Sequence, residues 1–571
     1  MDIPNPTPNP LTPTPYLIIH GHFYQPPREN PWTGVIEAQP SAEPFPDWNE
    51  RIQAECYQPN SSAIISDPVT GDSRTINNYE GISFNFGPTL LSWLEQNHLE
   101  TYNRIIDADR ASVLTRQGHG NAIAQAYGHA ILPLCTERDL RTQIRWGLAD
   151  FRHRFGREAE AMWLPETACN DGVLDALIDE GLRYVILAPH QAARVKTASD
   201  SNEISTGSGI PLPLGEGRVR VLAEVENSDR ASIDRTGSSD REENSTNDWH
   251  SVAAETLDTS IPYRYRHTDD AGATIAVFFY HGPLSRAIAF EGLLRSSGAL
   301  VGSFARAARG NGLLNLATDG ETYGHHFKFG DLCLAHALTV EAPARGFKLT
   351  NYGEYLDQHP PRHDVEINNG SDGQGTSWSC QHGVGRWIRD CGCVTGGEPG
   401  WNQKWRTALR DALDFLRDEN ISHFEATRGD LFTFPWLARD ASISLILNPH
   451  ESREQFLFEH AGRWLSADEG SRALAYLELQ RMLLLMYTSC GWFFNDIFGI
   501  ETIQILRYAG RAIDLMKQLN LPSARERFLE ILSEAKSNRR ELGTGADIFR
   551  RFVEPARPQS SGELRQEAVL T

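Results

Sequence analysis

Two carboxylic acids in this chain stand where residue type and neighbours suggest chemistry. Glu166 closes the run Trp163-Leu164-Pro165-Glu166, and Asp319 opens Asp319-Gly320-Glu321-Thr322-Tyr323-Gly324. Each follows a short apolar stretch and lies beside an aromatic residue. Paired carboxyl groups in an aromatic-lined site suit cleavage of a glycosidic bond, where one attacks the anomeric carbon while the other protonates the leaving oxygen. Trp163 and Tyr323 are placed to stack on sugar rings. A plainer reading has each acid capping the helix after its strand. Spacing alone leaves the two readings about equal for either residue taken singly.

The elements that would carry these acids are strands. Tyr16-Leu17-Ile18-Ile19 runs into His20, His22 and Gln25; Ala161-Met162-Trp163-Leu164 runs into Glu166; Tyr184-Val185-Ile186-Leu187-Ala188 runs into His190. The runs 273–279 and 313–317 lead into His281 and into Asp319, Glu321, Tyr323, His325 and His326. Continuous apolar strands alternating with helical segments indicate a parallel sheet covered on both faces. In a parallel barrel all carboxyl ends share one rim, where sites are built. Five runs ending in polar or aromatic residues therefore predict one convergent pocket. The helix expected from Asp171, capped by Asn170 or Asp171, stops before Gly181. His190 and His281 are weaker candidates than the acids, since a hydrogen-bonded histidine on a barrel rim explains them as well.

The expected fold is α/β, a (β/α)-type barrel followed by a mainly helical C-terminal domain. The expected organisation is a disordered tail over 1–15, a catalytic barrel over 16–350, a connecting segment over 351–400, a helical domain over 401–555 and a tail over 556–571. A Ser-, Gly- and Asp-rich stretch at 197–247 reads as a long insertion in a surface loop. Helical spacing recurs at Trp405 to Arg417, Leu474 to Tyr487, Ile503 to Leu519 and Ala524 to Ala535.

Four segments together resemble glycoside hydrolase family 57: His22-Phe23-Tyr24-Gln25-Pro26, His129-Ala130-Ile131-Leu132-Pro133-Leu134, the Glu166 segment and the Asp319 segment, in the family's order. Each is short, and the combination is what makes the match specific. The resemblance implies a (β/α)7 barrel and retaining chemistry on α-glucans without metal or other cofactor. It implies Glu166 as nucleophile and Asp319 as general acid/base. His22 and His129 would line the sugar subsite beside the scissile bond, and Glu321 would be a supporting carboxylate. Tyr24 stands where the family usually has a second histidine. The stretch Thr376 to Trp387 is similar to that of an uncharacterised subgroup, so the resemblance fixes the substrate less closely than for the family's amylases and branching enzymes. Hydrolysis or glycosyl transfer depends on how well the acceptor site excludes water, and both stay open.

A Gly-rich stretch carries Trp378, Trp387 and Trp401, which could reach over the barrel mouth and bind glucan; packing between domains explains them equally well. Of His325 and His326, one is expected to touch substrate. Trp492 and Asp496 are better explained by helix packing. Cys380-x-His382 and Cys391-x-Cys393 match structural zinc spacing only loosely, and the expectation is a glycine-rich loop with buried thiols and no metal.

The 571 residues carry a net charge of −21, with 40% hydrophobic and 23% charged residues. That surface repels phosphate backbones, so nucleic acid is not an expected partner, while a neutral glucan meets no such repulsion. No apolar run reaches membrane-spanning length, and Met1 to Pro6 lacks a secretory pattern. The expected location is cytoplasmic, with mostly reduced cysteines. Oligomeric state is open. Two other functions fit parts of the pattern: a metal-dependent polysaccharide deacetylase or mannosidase using Asp319 with nearby histidines, and a non-catalytic glucan-binding protein.

Overall fold

A computed structural model describes residues 14–66, 70–197, 249–448 and 450–558. The expected tails and the 197–247 insertion lie outside the described residues, apart from their inner edges.

Seven parallel strands form the barrel: β1 (Tyr16–Phe23), β2 (Ser83–Phe86), β3 (Ala124–Gln125), β4 (Met162–Trp163), β5 (Tyr184–Leu187), β6 (Thr274–Phe279) and β7 (Leu313–Asp319). β1 pairs with β7 on one side and β2 on the other. β3 pairs with β4, and β5 with β6. Single bridges, Phe84 to Ala122 and Ala161 to Tyr184, join the remaining neighbours. Between β6 and β7 the wall closes through the His281 N–H on the Asn315 carbonyl at 2.8 Å and Asn315 Nδ2 on the Phe279 carbonyl at 3.1 Å.

Alternation along the strands sorts side chains into two cores. Leu17, Ile19, Phe84, Val185, Val277, Leu314 and Leu316 face outward and pack in a large cluster. That cluster also takes in Leu140, Ile144, Val173 and Leu177 from the helices Glu137–Phe155 and Asp171–Asp179. Ile18, Ile123, Trp163, Ile186, Phe278, Leu313 and Ala317 form a separate cluster inside the barrel. The helix Asp171–Asp179 starts as expected, with the Asn170 side chain accepting from the Val173 N–H. The fold is thus a (β/α)7 barrel followed by a helical region.

Four strands extend the barrel sheet beyond β6. They are Tyr263–Arg266, His363–Ile367, Ala192–Lys196 and Trp249–Ser251, in that order. His363–Ile367 falls within the stretch expected as a mere connector, and its pairing ties that part of 351–400 to the barrel.

The C-terminal region is built on the helices Trp405–Glu425, Ala467–Leu485, Ile500–Gln518 and Arg525–Leu532. Ala467–Leu485 begins with a capping box, Ser466 and Glu469 each satisfying the other's backbone N–H. This region docks on the barrel rim. Thr488 Oγ1 donates to the Gly128 carbonyl at 3.0 Å, and the Ser489 N–H to the His129 carbonyl at 3.0 Å. No helix among the described residues is long and apolar enough to cross a membrane.

Candidate active site

The site begins with a register. His22 on β1 lies directly opposite Asp319 on β7, two steps beyond the His20 and Ala317 pair. Register partners on parallel strands point to the same side, so Ile18, His20 and His22 run up the barrel interior beside Asn315, Ala317 and Asp319. β2 and β3 add Ser83, Asn85 and Gln125 to the same interior.

These polar groups form one directed hydrogen-bond chain. His20 contacts Ser83 Oγ through Nδ1 at 3.0 Å and Asn85 Oδ1 through Nε2 at 3.1 Å. Asn85 Nδ2 donates to Gln125 Oε1 at 2.7 Å and reaches His22 Nδ1 at 2.9 Å. His22 Nε2 meets His129 Nε2 at 3.2 Å, and His129 Nδ1 meets Ser489 Oγ at 2.6 Å. With the amide donating to His22 Nδ1, donor and acceptor needs assign the proton of His22 to Nε2 and that of His129 to Nδ1. Burial holds His20 and His22 near 3, and burial plus the neighbouring His22 holds His129 well below the usual imidazole range. All three imidazoles are therefore neutral at pH 7 and offer fixed donors and acceptors rather than charge.

Glu166 follows β4 after Leu164 and Pro165. Its backbone is left-handed, φ +59°, and Thr167 follows at +48°. Such conformations cost a non-glycine residue about 1–3 kcal/mol and persist where surroundings enforce them. Here the Trp378 N–H donates to the Glu166 carbonyl at 3.0 Å. The carboxylate Oε2 accepts from Trp378 Nε1 at 3.0 Å and from Ser379 Oγ at 2.6 Å. Burial raises the Glu166 pKa, while these two donors and Arg386 pull against the rise.

Asp319 has the opposite environment. No donor among the described residues bonds its carboxyl, which opens into the cavity. Enclosure by the cavity walls, the facing charge of Glu166 and that of Glu321 push it up to about 8. Because the side chain retains contact with cavity solvent, the two nearby carboxylates are the firmer cause of the direction. Glu321 accepts from Gln25 Nε2 at 2.6 Å and Tyr57 Oη at 3.0 Å. Gln25 is held in turn by Arg28 Nη2 on its Oε1 at 2.6 Å.

Glu166 and Asp319 both line two adjoining cavities. The first, about 550 Å³, also holds His22, Tyr24, Gln25, His129, Glu321, His325 and His326. The second, about 500 Å³, holds His190, Tyr280, Phe290, Trp378 and Ser379. Phe493, from the helical region, borders both. The acids thus stand at the junction of two ligand-sized chambers, each lined by both polar and aromatic side chains.

Several expected contacts are corrected. Trp163 is fully buried and lines neither cavity; its indole stacks on His20 and His22 with ring centroids 4.7 and 5.1 Å apart. Tyr323 is also buried, its hydroxyl 3.1 Å from Thr318 Oγ1. Both sit inside because strand alternation and the turn after Asp319 direct them into the wall. Trp387 belongs to the helical core and donates from Nε1 to the Ser489 carbonyl at 3.1 Å. The aromatic surfaces that do face the cavities are Tyr24, Trp48, Phe493 and Phe494 on one side and Tyr280, Phe290 and Trp378 on the other. Both His325 and His326 reach the first cavity, and His325 pairs with Glu55. Trp492 is core, as the packing argument expects, while the adjacent Phe493 reaches the cleft.

Sequence reasoning missed Asn85, Gln125, Tyr57, Ser379 and Ser489. Ser379 adjoins Trp378, so the signal was beside it; the others become visible only through register or domain docking. Among the described residues one group of potential ligands converges closely enough for a metal, and neither Asp319 nor its histidine neighbours belong to it.

Residues 14–368 match the family model described as Glycosyl hydrolase family 57. The chain belongs to that family. Residues 401–567 match a second model, described as a domain of unknown function, DUF3536. The family 57 part is similar to Alpha-amylase 1 of Dictyoglomus thermophilum, 24% identical over 106 residues, which is 19% of this chain and 15% of that protein. Matched residues thus span well under a fifth of that relative. In fold, the chain is similar to an exo-type maltose-forming amylase from Pyrococcus sp. ST04, with TM-score 0.58 and 15% identity over 91% of this chain and 82% of the other. It is also similar to a family 57 branching enzyme from Pyrococcus horikoshii, with TM-score 0.46 and 14% identity over 96% and 97% of the two chains.

Proposed function

We propose that this family 57 chain is a retaining glycoside hydrolase or transglycosidase acting on α-glucans, with Glu166 as nucleophile and Asp319 as general acid/base. One observation carries the reading: two carboxyls at the junction of two chambers receive opposite treatment. Glu166 has donors that favour its ionised form. Asp319 has none, and adjacent charges keep its proton on. Protons leave such a pair in two steps, and here the first belongs mainly to Glu166. Near neutral pH one acid can attack while the other can protonate a leaving oxygen.

In the first step the Glu166 carboxylate attacks the anomeric carbon as Asp319 gives its proton to the departing glycosidic oxygen. A glycosyl ester on Glu166 results. Asp319, now a carboxylate, takes a proton from water or a sugar hydroxyl, which displaces Glu166 and restores both groups. His22 and His129, whose ring nitrogens are engaged within the chain, wall the first chamber with uncharged rings, and Gln25 and Glu321 stand beside them. Trp378 and Tyr280 offer faces to the sugar in the second.

The relatives support an α-glucan substrate, since those reported above are amylases and a branching enzyme by name. The test is incubation with amylose and glycogen, followed by reducing-end and branch-point analysis. A fluorinated α-glycosyl fluoride, which forms the ester faster than it releases it, should label a peptide containing Glu166. Labelling of another residue, or inverted product configuration by NMR, would defeat the assignment.

A further inference from the structure

We propose that Cys380, His382, Cys391 and Cys393 bind a zinc ion that clamps the loop holding Glu166. The sequence spacing is loose, but the fold brings one ligand atom from each of the four within 4.8 Å of all the others. Cys380 Sγ lies 3.8 Å from Cys391 Sγ and 3.8 Å from Cys393 Sγ, and Cys393 Sγ lies 3.5 Å from His382 Nδ1. A tetrahedral ion with Zn–S of about 2.3 Å and Zn–N of about 2.0–2.1 Å sets its sulfurs about 3.8 Å apart and sulfur and nitrogen about 3.6 Å apart. The observed edges match that tetrahedron. They are far too long for a disulfide, and all eight cysteines are free thiols.

The backbone is shaped for convergence. Gly392, between two of the cysteines, has φ +81°, and Gly383, next to His382, has φ +70°. These left-handed turns reverse the chain tightly on both sides of the cluster, where a β-carbon would be strained. Beside it, Arg406 places Nη1 3.9 Å from Cys391 Sγ and donates from Nη2 to the Phe493 and Phe494 carbonyls. A buried guanidinium there offsets the net negative charge of a Zn²⁺ held by three thiolates.

The position gives the ion a purpose, which rests on the role proposed for Glu166. Cys380 immediately follows Trp378 and Ser379, the two residues that bond the Glu166 carboxylate. Arg386 holds this turn through Nη2 on the Ser379 carbonyl at 3.0 Å, and Nη1 donates to the Phe493 carbonyl at 3.2 Å. Ser377 Oγ on the Gly383 carbonyl and Thr407 Oγ1 on the Ile388 carbonyl fix other points of the loop. Zinc would join its two ends and so keep the donors aimed at Glu166. Each thiol gives up its proton on binding, so affinity should rise with pH.

Full-length protein, purified under reducing conditions and incubated with zinc, should hold one equivalent by elemental analysis after desalting. Cobalt(II) should give the thiolate charge-transfer and tetrahedral d–d bands. Cys391→Ser and Cys393→Ser should abolish retention. The milder His382→Ala, at an exposed position, should weaken affinity at least tenfold while the chain stays folded. Chelation should speed hydrogen exchange in the peptide around Trp378 and Ser379. No retained zinc with eight titratable thiols, or a stable disulfide among the three cysteines, would overturn the site; unchanged exchange on chelation would overturn the clamp. Metal content is read without activity, so failure here is separable from failure of the glycosidase reading.

Discussion

Trp378 holds Glu166 at two points, its backbone N–H on the Glu166 carbonyl and its indole Nε1 on the carboxylate, each at 3.0 Å. One contact enforces the left-handed backbone and the other aims the side chain. A residue distant in sequence therefore sets both where the carboxylate is and how readily it ionises.

Removing either acid should stop turnover in a distinguishable way. Glu166→Gln is expected to lose at least about 10³-fold in kcat on amylose with an unchanged circular dichroism spectrum, because no ester can form. Asp319→Asn should lose about 10²–10⁴-fold on polysaccharide. With an activated aryl or fluoride leaving group it should still show a burst of ester formation, and azide should accelerate release. Wild-type rates in either variant would defeat the role assigned to it.

The pH profile of kcat/KM should be bell-shaped. Activity requires Glu166 ionised and Asp319 protonated, so it falls on the acid side as Glu166 gains a proton and on the alkaline side, near pH 8, as Asp319 loses one. A profile that is flat between pH 7 and 10 contradicts the acid role of Asp319.

The same shift makes a stability statement. A carboxyl whose folded pKa is raised binds its proton more tightly folded than unfolded, so it destabilises the native state increasingly as pH rises from about 4. The penalty levels off above about 8. Asp319→Asn removes that penalty and should raise the melting temperature at pH 8 more than at pH 4, measured by calorimetry.

Ser379→Ala deletes a 2.6 Å bond to the Glu166 carboxylate. Hydrogen bonds to charged groups are worth about 1.5–3 kcal/mol, so kcat should fall about 10- to 100-fold. The bond lowers the Glu166 pKa, so the acid limb should also move to higher pH. A stability loss without movement of that limb would show a merely structural role.

The tryptophans should separate. Trp387→Phe removes one of two donors on the buried Ser489 carbonyl, the other being the Trp492 N–H, and opens a gap in the helical core, costing about 1–3 kcal/mol of stability in denaturant titration with little change in KM. Trp378→Phe, at the cavity wall, should reduce kcat chiefly.

How much of this was legible follows from what each signal needs. Residues adjacent in sequence were readable: the Asn170 cap, the four long helices, the apolar runs behind β1, β4, β5, β6 and β7, and the acids at their ends. β2 and β3 were not, because they are short and their inward positions are polar. Ser83, Asn85 and Gln125 read as loop until the barrel supplies them with His20 and His22 as partners.

By itself, then, the sequence determined the barrel class, the helical region behind it and the two acids at strand ends, because local periodicity and short motifs encode these. Which aromatic rings face solvent, which acid keeps its proton and how four scattered ligands meet were decided only by the tertiary structure. Burial, field and convergence depend on neighbours that are remote along the chain and come together only when the barrel closes and the helices dock against it.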